Sequence, residues 1–250
     1  MKTIFAIFFL LGLSFSSPCL AKPRARTKIY VGAYGFAPYY DIDKGRGLIN
    51  DVLEILNQIQ ADYDFRVVEI PSKRRYQSFA ERRIDMIFFE DPRWGWSSIK
   101  HQQYPTGLDD AEVYITRKTP QRNQTFFEDL QNKSIAGILG YHYGFANLNA
   151  DENYLRSKFD IHLVSHNFAS VRLVLKDRVQ IAVVPRSYIQ SYLKEHKADR
   201  KQILISDKID QKYDLKILVH PQVNIPKETL ESLFTQLTAN PQYQKLFSPE

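Results

Sequence analysis

Apolar positions along the chain switch repeatedly between a period of two and a period near 3.6, and that switching predicts an α/β protein. Lys28 to Ala33 is a short β-prone run, followed by a turn-rich stretch from Tyr34 to Gly47. Leu48, Ile49, Val52, Leu53, Leu56 and Ile59 then recur at helical spacing with Asn50, Asp51, Glu54 and Gln58 between them, an amphipathic helix. Tyr63 to Ile70 alternates as a strand, and Ser72 caps a short helix carrying Tyr76, Phe79 and Ala80 on its apolar side. Ile84 to Phe89 is nearly unbroken apolar sequence, as in a strand covered on both faces. This strand–helix–strand–helix–strand order predicts a parallel sheet flanked by helices.

Asp110 to Arg117 is a further strand, and Lys118 to Gln124 a polar linker. A second α/β pattern follows. Its strands are Ser134 to Leu139, Ile161 to Val164 and Val179 to Val184, with a short helix from Ser170 to Leu175 and another opened by Pro185-Arg186-Ser187 and running through Leu193. Beyond a polar stretch, Lys212 to His220 reads as one more strand. Pro226 to Leu237 is a helix with Leu230, Leu233, Phe234 and Leu237 on one face, and Pro241 to Phe247 a short final helix. These last elements have no local partner.

Composition sharpens the picture. Of 250 residues, 44% are hydrophobic and 25% charged, which supports a packed core and excludes a mostly disordered chain. The single cysteine, Cys19, excludes a disulfide framework and a Cys-based zinc site. It falls in an N-terminal segment with Lys2 as positive region, Ile4 to Leu13 as apolar core and Cys19-Leu20-Ala21 as cleavage site, so residues 1–21 are expected to be a cleaved export signal. Pro18 directly before Cys19 argues against lipidation. The expected compartment is the periplasm. The six histidines show no His-Glu-x-x-His spacing, and no metal site is expected. No cofactor motif is present: Gly140 to Gly144 lacks the Lys-Ser/Thr of a phosphate loop. The net charge of +6 is dispersed rather than gathered into a nucleic-acid motif, so no nucleic-acid partner is expected.

Several segments, taken in order, carry a resemblance. They are Gly35-Phe36-Ala37-Pro38-Tyr39 after the first strand, Gly47 before its helix, Ile84-Asp85-Met86-Ile87, Phe127 to Lys133 before the Ser134 strand, Gly140-Tyr141, and Tyr213-Asp214-Leu215-Lys216-Ile217. With them the chain resembles the periplasmic solute-binding proteins of family 3, best known as amino-acid receptors of ABC importers. The resemblance implies a two-lobed fold of the type II periplasmic-binding kind, each lobe a mixed, mostly parallel sheet with flanking helices, joined by two hinge crossings. Residues 22–117 plus 212–250 would form lobe 1, and 118–211 lobe 2. It implies a monomeric, non-enzymatic receptor for a small polar, carboxylated, amino-acid-like solute, with an inner-membrane ABC permease as partner. An enzyme on the same scaffold, similar to cyclohexadienyl dehydratase, and a ligand-sensing partner of a membrane signalling protein are the alternatives. The family's Thr-Ile-Thr-x-x-Arg-like segment corresponds here to Phe89 to Trp96, with Arg93 present and the threonines absent. Its later Asp is replaced around Pro185-Arg186, and its Gly-Thr-Thr-like stretch is Gly140-Tyr141-His142.

The candidate site also follows from topology, because open α/β sheets bind ligands beyond the carboxyl ends of their strands. Tyr34, Phe36 and Tyr39 crowd the first such loop and offer aromatic faces. Arg74, Arg93 and Arg186 offer guanidinium forks for a carboxylate. Glu90 could accept an amine or, in the enzymatic alternative, donate a proton. Trp94, Gly140, Tyr141 and His142 complete the expected ligand-binding set, with Gly140 to Gly144 presenting backbone N–H groups to an anion. No residue is assigned a catalytic role in the leading reading.

Overall fold

The computed structural model describes residues 25–247; the expected signal segment and its cleavage site lie outside the described residues. Two five-stranded sheets organise the chain. The first contains β1 (Thr27–Ala33), β2 (Tyr63–Glu69), β3 (Met86–Glu90) and β4 (Gln102–Pro105). The second contains β5 (Ala111–Arg117), β6 (Ile135–Ile138), β7 (Ile161–Val164), β8 (Ile181–Pro185) and β9 (Ile203–Lys212). The chain then returns to the first sheet with β10 (Lys216–Val219). The strand orders are β2-β1-β3-β10-β4 and β7-β6-β8-β5-β9. In each sheet three strands pair in parallel, and one strand runs against them, β10 in one sheet and β5 in the other, with the outer β4 or β9 pairing antiparallel to it.

Helix α1 (Leu48–Gln58) forms where the spacing predicts, burying Ile49, Val52, Leu53, Ile55 and Leu56. Gly47 opens it because the chain folds tightly back there: a Cβ at this position would lie 2.4 Å from the Tyr39 carbonyl oxygen. A 3-10 turn at Ser72–Arg74 leads into α2 (Arg75–Ala80). The second sheet is flanked by α3 (Glu152–Lys158), α4 (Asn167–Leu175) and α5 (Arg186–Glu195). Helix α6 (Lys227–Ala239) buries Leu230, Leu233, Phe234 and Leu237, and Phe234 packs against Phe88 and Tyr104 of the first sheet. Helix α7 (Pro241–Leu246) is tied down by Tyr243, whose hydroxyl donates to the Thr106 carbonyl at 2.7 Å. The unpartnered C-terminal elements thus complete the first sheet's layer.

Three features differ from the sequence expectation. Strand β5 pairs with β8 and β9, so the chain leaves the first sheet before Ala111 rather than after Arg117. Its partners lie far downstream, where local pattern cannot reveal them. The expected strand Lys212 to His220 is broken at 213–215: β9 ends at Lys212 and β10 begins at Lys216. The two passages between sheets, 106–110 and 213–215, run side by side. Tyr213 N–H donates to the Asp110 carbonyl at 2.9 Å, and Thr106 Oγ1 to the Leu215 carbonyl at 2.7 Å. Finally, β4, α3 and the second half of the edge strand β9, from Ser206 on, stand where the sequence is too polar to show periodicity.

Candidate functional site

The segments that follow β1, β3 and β6 meet in one cleft between the sheets, and aromatic side chains fill it; Ser187, after β8, reaches this cluster through Asp110, whose carboxylate it shares with Tyr39. Phe36 is the centre. Its ring lies 4.8 Å from Tyr39, 5.9 Å from Tyr34, 5.6 Å from Tyr141, 5.8 Å from Trp94 and 6.0 Å from Tyr213, centroid to centroid. The cavity that remains, about 10 Å³, holds one water at most. Arg75, Glu112 and His142 form its polar wall.

Beneath the aromatic cluster lies a buried ion pair. Glu90 is placed by a bulge at the end of β3, where Phe88 and Phe89 together face the single Ile217 of β10 and Phe89 takes φ +62°. Arg75 Nε sits 3.3 Å from Glu90 Oε1, with both side chains sealed from solvent. Trp96 Nε1 donates to Glu90 Oε2 at 2.7 Å. Burial pushes the Glu90 carboxyl above its usual range, against the pull of Arg75. The remaining Arg75 donors go to the Ser72 carbonyl at 2.7 Å, the Gly140 carbonyl at 3.3 Å and the Tyr76 hydroxyl at 2.6 Å. Arg75 therefore ties α2 of the first half to the Gly140 turn of the second. His142 Nδ1 lies 3.5 Å from Arg75 Nη2, and burial together with that cation lowers its pKa to about 4.

The expected residues separate into two groups. Tyr34, Phe36, Trp94, Tyr141 and His142 line the central cavity. Tyr39 is buried below the loop and donates to Asp110 Oδ2 at 2.9 Å, an oxygen that also accepts from Ser187 Oγ at 2.6 Å. Arg74 is exposed, whereas its neighbour Arg75 is buried, because one residue along a helical turn rotates a side chain by about 100°. Arg93 is already engaged: it grips Asp91 with Nε at 2.9 Å and donates through Nη2 to the Lys212 carbonyl at 2.6 Å. It braces the passage between sheets. Glu90 faces Arg75 and Trp96 rather than the cavity surface. Gly140 takes φ +82°, but the N–H groups of Gly144 and Phe145 are satisfied internally by Asp210, at 2.6 and 2.8 Å. The chain's own carboxylate holds the position expected for an anion. Gly144 suits that contact, since a Cβ there would lie 2.2 Å from the Asp210 carbonyl oxygen. Arg186, half-buried at the first position of α5, makes no side-chain hydrogen bond or ion pair with the described residues.

Sequence reasoning missed Glu112, Gln211 and Tyr213. Gln211 Nε2 donates to Glu112 Oε2 at 2.8 Å, and its Oε1 accepts from Trp94 Nε1 at 3.1 Å, so the cleft is bridged from β5 and β9. Glu112 lies within an apolar strand pattern, and a lone acid there was the available signal. Gln211 depended on recognising β9, and Tyr213 on the break at 213–215 that turns it into the cleft.

The sequence matches no family model and no curated protein. Solved structures do match. The chain is similar to the substrate-binding protein of an amino-acid ABC transporter, at 16% identity and a TM-score of 0.66 over 88% of this chain and 96% of that one. The glutamate-bound ligand-binding core of GluR0 from Nostoc punctiforme gives 14% and 0.67 over 88% and 97%. The arginine-, lysine-, histidine-binding protein ArtJ from Geobacillus stearothermophilus gives 15% and 0.64 over 88% and 94%. At such identities the likeness lies in the architecture, and it agrees with the paired five-stranded sheets: the chain has the α/β fold of the type II periplasmic-binding proteins.

Proposed function

We propose that this chain is an exported, monomeric solute receptor of family 3. It captures a small polar, carboxylated, amino-acid-like solute between two hinged lobes and passes it to an inner-membrane ABC permease, without chemistry. The observation that carries this reading is the cleft itself: strand ends from both sheets face each other across it, and two adjacent passages, 106–110 and 213–215, are the sole chain links between the sheets within residues 25–247. Such a pair of links is a natural hinge, and a solute that touches both lobes favours the closed state. Solved structures of the same fold, described as amino-acid-binding proteins, support the solute class.

Arg186 is the anchor for a carboxylate. Arg186 stands at the first position of α5, where the positive end of the helix dipole also favours an anion. Freshly purified protein should carry its solute into native mass spectrometry, or gain thermal stability from a library of acidic and zwitterionic amino acids. Arg186→Ala should weaken the bound solute about 10- to 100-fold in calorimetry, as expected for losing hydrogen bonds to a charged group. A protein that no small solute stabilises would overturn the receptor reading. A bound solute returned chemically changed would favour the enzymatic alternative.

A further inference from the structure

Glu112 reaches the central cleft from β5, is 1% exposed and lines the cavity. Among the described residues no cation pairs with it. Its neighbours are the Gln211 amide, which donates at 2.8 Å, and the Tyr213 hydroxyl. Burial and the nearby Asp210 push its carboxyl well above the usual range. A carboxyl held in this way gains most from a positive charge brought beside it.

The other charges around the cleft are taken up. Arg75 faces Glu90 and spends its Nη groups on the Ser72 and Gly140 carbonyls and the Tyr76 hydroxyl. Arg93 grips Asp91, and His142, lowered to about 4, is neutral near pH 7. Asp110 accepts from the Tyr39 and Ser187 hydroxyls, and Asp210 from the Gly144 and Phe145 N–H groups, with Lys208 near it. An anion beside Glu112 would therefore meet Asp110 and Asp210 behind it. The cleft calls for a cation.

The rings of the cleft specify which kind. Tyr34 and Trp94 come from the first half, Tyr141 from the second and Tyr213 from the return passage, and all four surround the ring of Phe36. Their polar atoms are turned elsewhere. Tyr141 donates to the Gly35 carbonyl at 2.7 Å and Trp94 to Gln211 at 3.1 Å, while the Tyr34 and Tyr213 hydroxyls lie beside Glu90 and Glu112. Tyr34 already takes one cation on its face, the Arg75 guanidinium 5.1 Å from the ring centroid. An ammonium rich in N–H groups would bury donors against carbon here. Methyl groups on the nitrogen pack against the rings instead, and the charge they carry is attracted to the ring faces.

We propose that the central cleft takes the N-methylated ammonium head of a zwitterionic solute, which enters the place now filled by the Phe36 ring and sets its charge against Glu112. This rests on the receptor reading and deepens it. Glu112 is the register partner of Pro185, and Arg186 follows directly, so the partners for the two ends of a zwitterion stand at neighbouring positions of β5 and the β8–α5 junction.

Trimethylglycine is the probe, in calorimetry beside two controls. 3,3-Dimethylbutanoate keeps its shape and carboxylate but has carbon in place of the charged nitrogen; glycine keeps both charges and lacks the methyl groups. Trimethylglycine should bind about tenfold tighter than either. Glu112→Gln should bring the ratio of trimethylglycine to 3,3-dimethylbutanoate affinity close to one, and Tyr141→Leu should narrow it about threefold. Reading a ratio cancels any change in closure that the two variants share for both probes, and circular dichroism melts check that each is folded. Equal binding of trimethylglycine and its carbon analogue, tighter binding of glycine, or a ratio unchanged in Glu112→Gln overturns the proposal. Failure of all three probes, in a protein that still carries a native solute into mass spectrometry, refutes the ammonium assignment and leaves the receptor reading standing.

Discussion

Glu112 sits on β5 with its carboxyl sealed beneath the aromatic cluster, where burial, reinforced by Asp210, pushes its pKa well above the ordinary 4.5. The folded protein therefore holds this proton to higher pH than the unfolded chain does. The stability that Glu112 contributes is present below about pH 4.5 and is lost as pH rises toward the folded value. Glu112→Gln keeps an acceptor for Gln211 and removes the ionisation. It should flatten the decline of Tm with pH and raise Tm at pH 8 by about 2–4 °C, measured by calorimetric melts across pH 4–8. His142 works in the opposite direction, because its folded pKa is lowered to about 4; its stabilisation is present above about pH 6.5 and is lost as pH falls toward 4. Which arginine enters the site is also decided at this scale. Lys73-Arg74-Arg75 reads as a charged run, and only the rotation of α2 selects Arg75 as the buried member.

At the scale of elements, Asp91 carries the join between β3 and the return passage. Its carboxylate accepts from Arg93 Nε and from the Asp214 N–H, each at 2.9 Å, and although burial opposes ionisation, these bonds hold its pKa below the ordinary value. Asp91→Asn should cost about 1.5–3 kcal/mol in urea unfolding, because a buried charged acceptor loses its donors. Arg93→Ala should cost less, its side chain being 51% exposed. The elements most legible in the sequence were those with a sealed face: α1, α6, β1, β3 and β8 stand within a few residues of their apolar patterns. Strands β4 and β9 were hidden for a physical reason. They are sheet edges, where polar residues such as Gln102, Gln103, Asp207 and Lys208 blunt the pattern and discourage further pairing.

For the whole molecule, hydrogen bonds that hold the halves together across the cleft include Tyr141 hydroxyl to the Gly35 carbonyl at 2.7 Å, Ser72 Oγ to the Leu139 carbonyl at 3.2 Å, Arg75 to the Gly140 carbonyl at 3.3 Å, and Trp94 to Gln211. Tyr141→Phe removes the first while keeping the ring in the cluster. At about 1 kcal/mol for one net hydrogen bond, it should shift the open-to-closed ratio about fivefold toward open, read as a larger radius of gyration in small-angle scattering without solute. An unchanged radius would show that the aromatic contacts alone set closure. The sequence by itself determined the α/β class, the amphipathic helices and the aromatic loops at strand ends, because periodicity and strand-end chemistry are local properties. Only the tertiary structure decided that β5 belongs to the second sheet, that Arg93 is bound to Asp91, and that Asp210 occupies the Gly144 amides. Each of these joins residues far apart in the chain or sets how a side chain is shared among partners, and no local pattern encodes which partner wins.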